Sequence, residues 1–268
     1  MNALSLSLFA VPFIAGLLIA GSISHLGPFL RLRDEWLAAL AIAHLSAAGT
    51  LIAAAADASS GVGAALGAFS GLVLKQLGAR HGNTIYVLMY LLGWSVLMLA
   101  AANTSLGHSL GRAVLDGQLY FASAGHAIGA ALIVVILLIT TRWFSARLLR
   151  ARLMPEYEHV NALPAWRWHL VFDATVALAI ALAISALGVV GAFALAFIPA
   201  WIAFVLAASW RSCQWIGLGL GLCSYLAAFA VALRFDQPFG PTLVVMLIAG
   251  AAGTLAYRRI ASPPGTDA

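Results

Sequence analysis

An all-α integral membrane protein that crosses the bilayer eight or nine times is the fold class the sequence predicts, and three observations carry it. The 268 residues are 63% hydrophobic and only 9% charged, against about 25% charged in an ordinary soluble domain. Mean hydropathy is +1.00. Apolar runs of roughly 20 residues, the length that spans the hydrocarbon core, follow one another with short polar breaks. A soluble globular protein is excluded, and residues 1–268 form a single membrane domain.

The runs fall near 4–26, 36–56, 60–78, 84–102, 121–141, 169–187, 189–209, 214–233 and 239–257. No Lys or Arg precedes the first, which therefore lacks the basic start of a signal peptide and is read as a mature helix. The third is the weakest, because Lys75 and Gln76 interrupt a stretch rich in Gly and Ala. The 189–209 run contains Pro199 and follows its predecessor almost without a loop, so one of the pair can be a broken or re-entrant helix, which leaves eight spans as the alternative to nine. Stretches such as GVGAALGAFSG at 61–71 and GLGLGLCSYLAA at 217–228 supply the small residues through which membrane helices approach closely.

Basic residues set the orientation. The net charge of +5 sits between the runs, which is a topology signal and gives no reason to expect nucleic acid. With the N-terminus outside, Arg31, Arg33, Lys75, Arg80, Arg142, Arg147, Arg150, Arg152, Arg167, Arg211, Arg258 and Arg259 face the cytoplasm, and only Arg112 and Arg234 face outward. The C-terminal tail, 258–268, is then cytoplasmic, and the longest inside loop is 142–168. Cys213 and Cys223 carry no metal or disulfide pattern. No GxxxxGK[ST] loop or Rossmann glycine pattern is present, so any ATP-driven role requires a separate nucleotide-binding subunit.

Ionisable groups at membrane depth face a cavity, a pathway or each other. His44 stands in the middle of the second span within AIAHLSAAG. Its neutral imidazole can ligate a divalent cation through one nitrogen while the other is held by a hydrogen bond, or it can make an interhelical hydrogen bond that fixes packing. His25 and His126 lie close to span ends, where an interfacial role is the expectation. Asp173 sits six residues after Arg167, placed to pair with that or another cytoplasmic base or to line the inner vestibule. The stretch LMPEYEHVNALPAWRWHLVFD at 153–173 reads as a short surface helix that starts at Pro155 and Glu156 and ends before Pro164. Trp166 and Trp168 around Arg167 fit either an aromatic belt at the headgroups or a docking knob for a cytoplasmic partner.

Four segments resemble the membrane permeases of zinc- and manganese-type ABC importers. LGPFLRLRDEWLAALAIAHLSAAG at 26–49 is similar to the family's basic turn followed by GDALAHAxxPG, with His44 on the family His. MPEYEHVNALPAWRW is similar to the DPE segment, with Pro155 and Glu156 matching. LGVVGAFALAFIPAWIAF at 187–204 resembles VGxLLVxALLIIPAATA, with Gly191 and Pro199 aligned. QPFGPTLVVML at 237–247, containing Gly240, resembles the closing LPSGAxIVL element.

The resemblance implies an ABC importer permease-like fold in the cell (inner) membrane. It implies a homodimer or pseudodimer served by a separate ABC ATPase and an extracytoplasmic metal-binding protein. The chain would then be no enzyme itself, with ATP bound on the partner, no stably bound cofactor, and zinc, manganese or iron as cargo. On that expectation His44 lines the metal pathway, with His126 and Asp173 as further candidates. Residues 153–168, with Glu156, Pro164, Trp166 and Arg167, form the coupling helix that meets the ATPase. Five positions depart from the pattern: the family's Asp one turn before the His is Leu40 and its Gly is Ala39, the Pro of PG is Ala48, the Asp of DPE is Met154, and the Gly of the coupling segment is Ala162. A His without its carboxylate suits a weak, transient contact, which a transporter needs because a tightly held ion cannot leave. Two other classes compete: a haem-binding electron-transfer protein with axial His ligands, and an ATP-independent secondary transporter, for which no internal repeat is visible.

Overall fold

A computed structural model describes residues 9–78, 82–104, 107–154, 156–161, 163 and 165–261. Arg80, Pro155, Ala162, Pro164 and the end of the expected tail, 262–268, lie outside them. The described residues form helices α1 (Ala10–Leu32), α2 (Trp36–Ala55), α3 (Ser60–Leu77), α4 (Asn83–Asn103), α5 (Gly107–Asp116), α6 (Ala124–Leu153), α7 (Glu156–Val160), α8 (Ala165–Leu206), α9 (Trp210–Phe235) and α10 (Phe239–Ala261), with one 3₁₀ turn at Leu119–Phe121. Among them seven helices are long and apolar enough to cross a membrane: α1, α2, α4, α6, α8, α9 and α10.

Eight crossings result once α8 is counted as two legs, in line with the expected eight or nine, and α3 is the ninth run. The Gly-rich α3, with Lys75 and Gln76 in its last turn, is too polar to count by composition. In α8 two of the expected runs have fused into 42 residues broken by Gly188, whose φ of 74° and ψ of 169° are not helical. A straight helix of that length would measure about 63 Å. Yet both ends of α8 lie beside the end of α1: Asp173 is 3.0 Å from Arg33, and Arg31 sits over the Phe204 ring. The chain therefore doubles back at Gly188, and α8 consists of two antiparallel legs with one residue between them.

Arg33, Lys75 and Arg31 mark a basic end of the bundle, where Arg258 also donates to the Val205 carbonyl at 2.6 Å. The opposite end is closed by α5, the 3₁₀ turn and a junction of three glycines. A Cβ on Gly117 or Gly188 would strike the other's backbone, and one on Gly240 would strike the Asp116 carbonyl. Gly117 and Gly188 also have positive φ, at 83° and 74°, a region that L side chains avoid.

Small residues bring the central helices together. Gly49 of α2 and Gly63 of α3 each face the other's carbonyl, and Gly67 meets the Leu45 carbonyl, so no side chain fits between these backbones. Gly27 of α1 meets the Ala196 carbonyl on the second leg of α8 in the same manner. Such contact replaces the hydrophobic drive that is missing between helices in lipid. Helices α1, α2 and α8 form the buried centre, while α4, α6 and α10 present exposed faces such as Leu88, Leu99, Leu132 and Val245.

One expectation is corrected. The span read at 121–141 ends in a loop on sequence, whereas α6 continues to Leu153. No Gly or Pro interrupts residues 142–153, so the helix persists past the hydrophobic stretch and carries Arg142, Arg147, Arg150 and Arg152. Its 30 residues span about 45 Å, longer than a hydrocarbon core of about 30 Å.

Candidate translocation site and coupling segment

His44 is 5% exposed at the centre of α2. Its Nδ1–H donates to the Leu40 carbonyl at 2.9 Å, which leaves Nε2 as the accepting nitrogen. The ring meets Tyr90 edge-on at 4.6 Å and Trp94 at 5.7 Å, both on α4. That helix comes close because Gly93 sits directly against the His44 backbone. The residue that replaces the resembled family's Asp thus orients the imidazole through its main chain and offers no carboxylate.

The other candidate histidines occupy separate places. His126 Nδ1 accepts from the Ser123 N–H at 3.2 Å, in a capping box that starts α6. It lines a cavity of about 750 Å³ near the glycine junction, together with Thr50, Ser60, Gln118 and Ser185, and His44 is not part of that lining. His25 Nε2 lies 3.3 Å from the Thr141 hydroxyl. Among the described residues no three His, Cys, Asp or Glu side chains are grouped to hold a metal ion.

Asp173, 3% exposed, belongs to a charged network at the basic end. Its Oδ1 meets Arg33 at 3.0 Å and Lys75 at 2.8 Å, and its Oδ2 accepts from Gln76 at 3.2 Å. Arg33 and Lys75 also hold Glu35, at 2.8 and 2.9 Å. Two acids are thus balanced by two bases, the arrangement that makes buried charge tolerable. Arg167 has no part in it. Glu35 and Lys75 were not singled out as functional on sequence. The available signal was that both belong to turns expected on the same side of the membrane as Asp173.

The segment after α6 does form a short helix, α7. Arg150 lies over the Tyr157 ring at 5.0 Å, Arg147 over the Trp168 ring at 4.4 Å, and Arg167 over the Trp166 ring at 5.6 Å. Glu158 and His169 lie 3.4 Å apart, tying α7 to the first turn of α8. The outer face is mixed: Leu153, Val160 and Trp166 are between 64% and 75% exposed, with Arg152, Asn161 and Arg167 exposed beside them. Glu156, in the first turn of α7, is exposed as well. Gly191 faces Gly240 and Leu243 at ordinary contact distance, and Pro199 lies within the second leg of α8.

The profile of the ABC 3 transport family matches residues 6–256. The chain belongs to the ABC 3 transport family. It is a multi-pass membrane subunit of an ABC transporter. The fold is shared with a chain of PsaBC from Streptococcus pneumoniae in complex with Fab, at 14% identity and a TM-score of 0.81, covering 95% of each chain. It is also shared with a chain described as a metal-chelate type ABC transporter in an inward-facing conformation, at 15% identity and a TM-score of 0.71, covering 92% of this chain and 85% of that one. No curated protein matches the sequence. At these identities the solved structures establish the architecture of this ABC 3 family chain and leave its cargo to its own residues.

Proposed function

We propose that this chain is the permease of an ABC importer that moves a divalent transition-metal ion into the cytoplasm, driven by a separate ATPase and supplied by an extracytoplasmic binding protein. The observation that carries the reading is the short helix α7 at the basic end, with Val160 exposed on it and Trp166 exposed at the start of α8. An ATPase that grips Val160 and Trp166 displaces the start of α8, and the Asp173 network passes that displacement to α1 and α3. In this reading the protein rocks between two states whose balance ATP sets. His44 offers Nε2 to the passing ion, and two copies of the chain form the complete pathway.

The test is growth and elemental content of cells lacking the chain, with zinc, manganese and iron titrated separately under chelation. A deficit in one metal, reversed by adding that metal, supports the reading and identifies the cargo. Normal levels of all three would remove it.

A second reading, in which the metal arrives inside an organic ligand, is favoured by Leu40 in place of the Asp and by the absence of a metal-holding group among the described residues. Uptake of the metal only when it is supplied as a chelate separates the two.

A further inference from the structure

The cavity beside His126 does not include His44 in its lining. It lies between α2 and α3 on one side and α6 on the other, its floor is the first leg of α8, and α5 with the 3₁₀ turn covers its end. Helix α6 packs on α1 and α8, and α3 packs on α2 and α8, so a cleft remains between α3 and α6. Leu132 and Leu178, on its lining, are 60% and 47% exposed, so the cleft opens sideways on the flank of the bundle.

Polarity is graded along this cleft. Ser60, Gln118, Ser123 and His126 line it at the end nearest the glycine junction. Further along α6 its lining is Leu132, Ile133 and Ile136, faced by Leu178 and Leu182 of α8. From His126 to Ile136 the rise is about 15 Å, the depth of one leaflet, half of a hydrocarbon core of about 30 Å. Among the described residues no Asp, Glu, Lys or Arg lines it. Its volume of about 750 Å³ falls in the range of ligand sites, roughly 300–1,000 Å³.

We propose that this cleft holds one phospholipid of the leaflet at the glycine-junction end, with an acyl chain between α6 and the first leg of α8 and an uncharged or zwitterionic headgroup at Ser60, Gln118, Ser123 and His126. An apolar slot that ends in hydroxyl, amide and imidazole groups at headgroup level complements an amphiphile. Among the described residues the lining carries no charge to serve an anionic headgroup as counter-ion. The lipid wedges α6 away from α3 and so fixes the helix that leads into α7. None of this depends on which cargo the transporter moves.

The test uses the full chain purified in detergent and offered equal amounts of palmitoyl-oleoyl phosphatidylethanolamine and phosphatidylglycerol, with bound lipid counted by native mass spectrometry. One phosphatidylethanolamine per chain is expected, over phosphatidylglycerol by about fivefold, or about 1 kcal/mol. Gly129→Trp fills the cleft and should abolish retention. Leu132→Trp, at a position exposed enough to take a larger side chain, covers the case in which the first variant does not fold. Gly253→Trp, where an added Cβ meets nothing within 4 Å, should retain the lipid. Equal retention by both cleft variants, no retained lipid, or a preference for phosphatidylglycerol overturns the proposal.

Discussion

Lys75 Nζ lies 2.8 Å from Asp173 Oδ1, so the last turn of α3 and the beginning of α8 are joined by an ion pair that solvent scarcely reaches. The same ammonium holds Glu35 at 2.9 Å. Lys75→Met leaves Arg33 alone against two buried carboxylates, and a broken buried pair costs about 3–5 kcal/mol. Thermal unfolding in detergent should show a clear loss for Lys75→Met and for Asp173→Leu. The double variant keeps Arg33 opposite Glu35 and should recover much of it. Additive losses would show that the pair is not coupled.

Gly188→Ala places a Cβ against the Gly117 amide and the Leu115 carbonyl at a φ of 74°. Backbone strain of this kind costs about 1–3 kcal/mol before any clash is counted. The yield of monodisperse protein should collapse for Gly188→Ala. Gly219→Ala, where nothing lies within reach of the new atom, should behave as the native chain does.

His44→Ala should lower uptake at limiting metal by about tenfold or more, the scale seen when groups that merely support a metal site are removed. Assembly should be unaffected. Leu40→Asp puts a carboxylate one turn before the ring on the same helix face and should tighten binding of cobalt, read by its visible absorption. Unchanged uptake in the first variant would return His44 to packing between α2 and α4.

Val160→Ser and Trp166→Ser change side chains that are 75% and 64% exposed, so thermal stability should shift by less than about 0.5 kcal/mol. Copurification of the ATPase should fall severalfold, and Glu156→Ala should weaken it in the same direction. Undiminished copurification would remove α7 from the interface.

Much of the architecture was legible because the bilayer imposes a length and a hydropathy that residues must meet one span at a time. The short helix at Glu156–Val160 was legible for a similar reason, since Glu and Pro at its start and Pro after its end are local signals. The reversal at Gly188 was legible as the break between the runs 169–187 and 189–209, but its loop-free form depends on Gly117 and Gly240 needing the same space. Lys75 looked like a flaw in a weak span because its two acids lie 40 and 98 positions away, and pairing across such distances is set by packing. His44 was found by depth alone, but its Tyr90 and Trp94 neighbours depend on Gly93, which reads on sequence as one small residue among many.

Gly188 also acts as a fulcrum. The first leg of α8 starts beside α7 and reaches the pivot some 23 residues later, a lever arm of about 35 Å, so a tilt of about 5° moves its free end by about 3 Å. The second leg returns from the same pivot to the same end, with no loop to absorb the swing. A small rotation at a point pinned by three glycines therefore becomes a scissor movement at the basic end, with the charged cluster and the Arg31–Phe204 contact on opposite blades.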